Sequence, residues 1–169
     1  MKTNSTFKMF RNLLLLVVGV MGFSLVTSAA GFSKVGNVAT ITVHNGYTLT
    51  SADCALIDEN TIIRFIDKWG GSVNMSCVKD CKGFQWEATP DITIGTLVVH
   101  GDMTASVNVS GTSLTVQGKY IQTGGGVNVG TISVGGDMTA SVNVSGNITC
   151  VNLTVNNQSN KITGTATVS

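Results

Sequence analysis

Residues 101–111 read GDMTASVNVSG, and residues 136–146 repeat the same eleven letters at an offset of 35 residues. An identical stretch at a fixed spacing is typical of a repeat architecture. A shorter period lies inside it, because the triplets LVV, LTV, ISV and LTV start at Leu97, Leu114, Ile132 and Leu153, at offsets of 17, 18 and 21 residues. The 35-residue repeat therefore divides into two coils.

A second alternating triplet follows in each coil, at residues 107–109, 127–129, 142–144 and 166–168. Apolar–polar–apolar alternation is the period of a β-strand, and the intervening Gly, Asn and Ser residues favour turns. The pattern predicts an all-β protein, a β-solenoid (β-helix) with coils at 97–113, 114–131, 132–152 and 153–169. Its inward column is predicted to be Val99, Val116, Val134 and Val155.

Residues 31–96 carry the same pattern more loosely and contain Phe65, Trp69, Phe84 and Trp86, which predicts a bulkier N-terminal cap or irregular β coils before the regular solenoid of 97–169. First triplets are predicted at 41–43, 63–65 and 84–86, and second triplets at 54–56, 73–75 and 92–94. Seven coils would then make a rod about 30 Å long. The alternative is a helix over 51–69, against which the β-branched residues at 61–63 favour a strand.

The first 30 residues have the form of a secretory signal peptide, with Lys2, Lys8 and Arg11 before the apolar run 13–26 and small residues at 28–30. The alternative is an uncleaved anchor, for which this run is short. Cleavage would give a secreted, extracellular or cell-surface protein without stable membrane insertion.

The remaining chain has four cysteines, and an even number in an oxidising compartment predicts disulfides. Cys54 lies about one coil before both Cys77 and Cys81, so a bridge to either is predicted. Cys150 lies three predicted coils beyond Cys81, where it is either a small buried hydrophobe or the site of an intermolecular bridge. No metal site is predicted, because too few ligands cluster around the CVKDC segment.

Charged residues make up 11% of the chain and the net charge is +1, so no basic patch for nucleic acid is expected. Asp102 and Asp137 occupy equivalent positions two coils apart, near the upper limit for the carboxylate pair of an inverting glycosidase. Lys119 lies at the same position between them and would keep both acids ionised. A structural ladder is therefore predicted, with no catalytic residue and no cofactor, and a β-helix carbohydrate enzyme is the least favoured function.

Outward-facing polar residues form predicted columns along the rod. The amide column comprises Asn74, Asn108, Asn128 and Asn143, and the hydroxyl column comprises Thr115, Ser133 and Thr154. Flat rows of amides and hydroxyls suit a binding module for glycan, a receptor on a host surface or ice, and structurally inert rows are the alternative.

The GDM segments at Gly101 and Gly136, the Val-Asn-Val strands and the Val-x-Gly turns resemble those of bactofilins, which are polymer-forming β-helix proteins. They also resemble the Gly-rich β-solenoids of secreted adhesins and phage tail fibres. The resemblance implies a solenoid architecture and a tendency to polymerise.

The leading functional expectation is a non-enzymatic extracellular structural or adhesin-type protein that binds other copies of itself. Its predicted assembly edge is the last coil, with Ile162, Ala166, Thr167 and Val168. An open strand edge is a template for another chain, and a head-to-tail contact between solenoid ends need not close. Proline at Thr167 is expected to block this contact by removing an edge donor.

Overall fold

The computed structural model describes residues 31–66, 71–156 and 161–169, so the predicted signal peptide and Trp69 lie outside the described residues. The N-terminal elements are β1 Phe32–Val35, β2 Val38–Thr42, β3 Tyr47–Thr48, α1 Ser51–Cys54, β4 Ile62–Ile66, β5 Ser72–Met75, β6 Asp80–Cys81 and β7 Gly83–Trp86. The remaining strands are β8 Asp91–Val99, β9 Met103–Ala105, β10 Val109–Val116, β11 Tyr120–Gln122, β12 Val127–Val134, β13 Met138–Ala140, β14 Val144–Cys150, β15 Leu153–Val155, β16 Ile162–Thr163 and β17 Ala166–Val168.

These strands stack into a parallel β-solenoid of about six turns, with coils about 18 residues apart. The predicted fold class is confirmed, although the number of turns is nearer six than the predicted seven. One sheet runs β16-β14-β12-β10-β8-β5-β3, with β17 beside β14 and β6 beside β8. The other side of the coil is formed by β1-β2-β4-β7 and, beyond β7, by β9-β11-β13-β15.

Columns of apolar side chains hold successive coils together. Leu97, Leu114 and Ile132 are neighbours in register, as are Val99, Val116 and Val134, and all six side chains are buried. Each strand is too short to be stable alone, so its inward residues depend on the coils above and below. Burying one such side chain contributes about 1.5–3 kcal/mol relative to exposure.

The predicted register is wrong after Val134. Leu153–Val155 pairs with Met138–Ala140 on the other side of the coil, while Ile148 and Thr149 pair with Ile132 and Ser133. The coils therefore start at Ile132, Ile148 and Ala166, and Val155 lies beside Ala140. The observed inward column is Cys81, Val99, Val116, Val134, Cys150 and Val168, since cysteine packs there as a small apolar residue.

The second triplets are also misplaced: 107–109 and 142–144 are displaced by two residues relative to 127–129, and 166–168 pairs with the first-triplet strand at 148–150. Val127 pairs with Val109 and Val144, so the pairing does not start at residues 107 and 142. A displacement of one residue would turn every side chain to the other face, whereas a displacement of two preserves the inward pattern. Val107 and Val142 are accordingly still buried, but the identities of the outward neighbours change.

The N-terminal half follows the strand prediction in most places. Residues 63–65 pair with 84–86, and residues 73–75 pair with 92–94, as expected. The predicted first triplets 63–65 and 84–86 are nevertheless not in line with residues 97–99, because they lie on the side of the coil that continues into β9, and Asp80–Cys81 pairs with Val98–Val99 instead. The predicted strand at 54–56 is wrong, because α1 reaches Cys54 and Tyr47–Thr48 takes the corresponding strand position. The predicted triplet at 41–43 is displaced by two, since Ile41 pairs with Phe65.

The alternative helix over 51–69 is reduced to the single turn α1. The Thr50 side chain accepts a hydrogen bond from the Asp53 backbone, and the Asp53 carboxylate accepts one from the Thr50 backbone. This reciprocal capping satisfies the backbone donors at the start of the turn. The β-branched segment then continues as the strand Ile62–Ile66.

Three aromatic side chains of β4 and β7 pack against one another in the N-terminal coils. The Phe65 ring stacks on Trp86 with ring centroids 4.8 Å apart, and Phe84 lies 6.0 Å from Phe65. Trp86 Nε1 donates a hydrogen bond to the Thr104 carbonyl at 2.6 Å. The indole thus ties the N-terminal coils to the regular repeats.

Replacing Val116 with Asp is predicted to cost about 3–5 kcal/mol of unfolding free energy, because it buries an uncompensated charge between Val99 and Val134. Thr131→Asp is the matched control, since Thr131 faces solvent on the neighbouring strand. Urea unfolding measures both. Equal stability of the two variants would contradict the inward column.

Candidate functional site

The predicted amide column divides into two neighbouring outward rows. Asn74 and Asn128 lie in the row Asn74, Thr93, Ser110, Asn128, Ser145 and Thr163. Asn108 and Asn143 lie at the preceding outward position, two residues earlier in each coil, in a row with Asp91, Gly126 and Lys161. The two-residue displacement of the triplets is the reason for this division.

Asn108 and Asn143 use their side chains to join coils. Asn108 donates from Nδ2 to Asp91 Oδ2 at 3.0 Å, and its Oδ1 accepts from the Gly126 backbone at 2.7 Å. Asn143 Oδ1 accepts from the Lys161 backbone at 2.9 Å. These bonds supply acceptors to backbone N–H groups beside the turns, so the amide oxygens support the fold.

Gly126 interrupts this second row. Between Asn108 and Asn143 there is no side chain, and a shallow groove of about 310 Å³ opens at this point. Its polar lining residues are Asn108, Ser110, Asn128, Asn143, Ser145 and Thr163. Three of the residues predicted for binding, Asn108, Asn128 and Asn143, therefore line one groove.

Two of the three residues predicted for the hydroxyl column share a row. Thr115 and Ser133 are neighbours, and the next member is Thr149. Thr154 lies on the other sheet, beside Thr139. A parallel outward row contains Thr96, Ser113, Thr131 and Asn147, so this face presents two rows of polar side chains.

The row containing Asp102, Lys119 and Asp137 is a structural ladder built mainly by backbone and amide donors. Asp102 Oδ1 accepts from the Lys119 backbone at 2.8 Å, and Asp137 Oδ1 accepts from Asn152 Nδ2 at 2.7 Å. Among the described residues, the Lys119 ammonium forms no ion pair with either carboxylate. Two strand steps separate the carboxylates by about 9.6 Å.

Cys54 is bridged to Cys77, with Cα atoms 5.9 Å apart, which selects one of the two predicted pairings. The bridge ties α1 to the coil that follows it. Beside it lies a cavity of about 480 Å³, lined by Asp58, Lys79 and Asp80 among others. In the described ranges, no three His, Cys, Asp or Glu side chains gather in a geometry suited to a metal ion.

Cys81 and Cys150 are free and buried. They lie in the same inward column, four strand steps or about 19 Å apart, which is too far for a bridge. Burial raises the pKa of the Cys81 thiol to about 12 and also raises the pKa of Cys150. Both act as interior apolar residues, because the reactive thiolate form is disfavoured.

A buried polar pair inside the solenoid is not evident from the triplet pattern. Tyr120 donates its hydroxyl to Gln122 Oε1 at 2.6 Å, and Gln122 Nε2 donates to the carbonyls of Val107 and Gly124. Both side chains are fully buried. Alignment of the coils shows that Tyr120 and Gln122 face inward, because they share columns with the apolar residues Met103 and Met138 and Ala105 and Ala140, respectively.

Comparison of the chain with protein-family models, curated proteins and solved structures finds no match. Within the described residues, no helix has the length and apolar character needed to cross a bilayer.

Tyr120→Phe is predicted to lower the unfolding free energy by about 1–3 kcal/mol, because it leaves the buried Gln122 oxygen without a donor. Tyr47→Phe is the control: it also removes one hydroxyl, but the Asp53 carboxylate keeps the Thr50 donors. Chemical denaturation of both variants measures the difference. A Tyr120→Phe variant no less stable than Tyr47→Phe would contradict a stabilising role for the pair.

The same pair predicts a dependence on pH. Burial raises the pKa of Tyr120, whereas an unfolded tyrosine ionises near pH 10, as a rough reference. The folded state then retains a proton that the unfolded state loses, so the stabilisation is complete below about pH 10 and declines above it. The stability advantage of the parent over Tyr120→Phe should therefore shrink as the pH rises above this value.

Proposed function

We propose that this protein is a secreted, non-enzymatic structural protein that associates with a second copy of itself through its C-terminal coil. The signal-like N-terminus supports secretion, and the resemblance of the repeat to bactofilins and adhesin-type solenoids supports assembly. The observation that carries the proposal is the outer edge of β16 and β17, which no other described strand covers.

The residues at this edge form strands as in the interior coils, but their side chains are more exposed to solvent. Among the described strands, β16 and β17 pair only with β14, and β15 pairs only with β13. Val168 is 55% exposed, whereas Cys150 in the same column is 1% exposed. The edge therefore presents backbone donors and acceptors together with apolar side chains, the combination that favours pairing with another strand.

The N-terminal end has a different construction. Among the described strands, the edge at this end is β1, antiparallel to β2, on one sheet and the two-residue strand β3 on the other, and α1 is held by the Cys54–Cys77 bridge. Lys34 Nζ also lies 3.7 Å from Asp58 Oδ2 at this end. A head-to-tail filament needs two complementary coil edges, so this difference favours a tail-to-tail contact that closes as a two-fold dimer.

The directions of the backbone N–H groups in β17 show that proline at Thr167 is not the right substitution to block the outer edge. Ile148 donates to the Thr165 carbonyl, and Ser169 donates to the Cys150 carbonyl. Because successive N–H groups alternate between the two sides of a strand, the Thr167 N–H faces β14 and the Ala166 N–H faces the open edge. Ala166→Pro therefore blocks the edge, whereas Thr167→Pro breaks pairing within the coil.

Val168→Asp is predicted to convert the parent dimer to a monomer, because it places a charge in the apolar end contact. Thr167→Asp is the matched control, since it adds the same charge to the outward face of the same strand. Sedimentation equilibrium of the secreted protein measures both. A parent that stays monomeric at high concentration would contradict self-association, and open-ended polymers would contradict the tail-to-tail geometry.

A further inference from the structure

The groove at Gly126 results from one missing side chain in an otherwise continuous row. The other coils place Asp91, Asn108, Asn143 and Lys161 at this position. Gly126 leaves a gap between two asparagines, and the resulting groove of about 310 Å³ is near the lower limit for small-molecule sites.

The backbone does not require glycine at this position. Gly126 has no left-handed conformation, and an added Cβ would meet Asn108 Oδ1 at 3.5 Å and the Asn143 carbonyl at 3.9 Å, which are ordinary contacts. The preceding Gly125 is different, because its φ is 66° and a Cβ would lie 2.2 Å from the Val107 carbonyl carbon. The turn therefore accounts for Gly125 but leaves the absence of a side chain at Gly126 unexplained.

The polar groups around the gap are neutral. Three amides and three hydroxyls line the groove, and no charged side chain of a described residue does. The exposed Asn128 side chain makes no hydrogen bond to another described residue, so its donor and acceptor are both available. The Asn143 Oδ1 atom is engaged by Lys161, but its amide group still has a donor to offer.

These donors and acceptors suit a ligand with many hydroxyl groups and no charge. A carboxylate or phosphate ligand needs a cationic partner in the site to offset its desolvation, and the lining supplies none. Sugar hydroxyls both donate and accept, as do the Asn and Ser side chains around the gap. The volume accommodates one or two sugar rings.

We propose that the groove around Gly126 binds a pyranose unit of a neutral oligosaccharide. The hydroxyls of the sugar exchange hydrogen bonds with Asn128, Asn143 and Ser145, while the space beside Gly126 admits the ring. The groove lies on the outward face of β10, β12 and β14 and reaches Thr163 of β16, whereas the proposed end contact uses the outer backbone edge and the Val168 side chain of the C-terminal coil.

Gly126→Asn tests this proposal, because it fills the gap with the side chain that neighbouring coils already carry. Gly83→Asn is the matched control: an added Cβ there meets only the Asp102 carbonyl at 3.7 Å, and Gly83 lies outside the groove. The probes are maltohexaose, cellohexaose and N-acetylchitohexaose as neutral sugars and sialyllactose as an acidic one. Backbone amide NMR shifts measure binding, and thermal unfolding verifies that both variants are folded.

We expect at least one neutral hexasaccharide to shift the amides of Gly126, Asn128 and Ser145. The affinity should fall at least about tenfold in Gly126→Asn, which corresponds to the loss of one or two hydrogen bonds, and should be unchanged in Gly83→Asn. The proposal is overturned if no neutral sugar shifts these amides, if only sialyllactose does, or if Gly126→Asn binds as tightly as the parent.

Discussion

The parallel hydrogen-bonded register between successive coils is the constraint on which the rest of the structure depends. β10 pairs along its length with both β8 and β12, and this stacking aligns the inward side chains into columns. The stacking also requires glycine inside β14, where the pairing with β12 shifts register: Gly146 has a φ of 140°, and an added Cβ would lie only 1.8 Å from the Val129 carbonyl oxygen. A backbone approach this close is possible only for glycine, so this glycine and the apolar columns specify the same stacking.

The fold class follows from the sequence because strand alternation and turn residues recur at a nearly constant spacing. The placement of Val99, Val116 and Val134 was predictable for this reason. The register of the later coils was not predictable. Apolar–polar alternation looks the same after a shift of two residues, and the ITC triplet at Ile148 resembles the LTV triplet at Leu153. Pairing geometry decides between them: Ile148 lies on Ile132, whereas Leu153 belongs to the short strand on the opposite side.

The candidate site shows a second limit of sequence patterns, since identical residue types have different uses. Asn108 supports its neighbouring coils through the Asp91 and Gly126 contacts, whereas Asn128 faces solvent without such contacts. The sequence identified both as polar and outward-facing. It could not separate their uses, because a side chain that satisfies a backbone donor and one that is available to a ligand differ only in the three-dimensional register.

Cross-linking between outward positions tests this register most directly. In a chain carrying Cys81→Val and Cys150→Val, the pair Ser133→Cys and Thr149→Cys should form a disulfide, because these residues are neighbours on β12 and β14 and their Cα atoms lie about 4.8 Å apart. The pair Ser133→Cys and Thr154→Cys should remain reduced under the same mild oxidation, since Thr154 lies on the opposite sheet. The reverse result, with the second pair bridged and the first reduced, would contradict the coil register and the arrangement of every row derived from it.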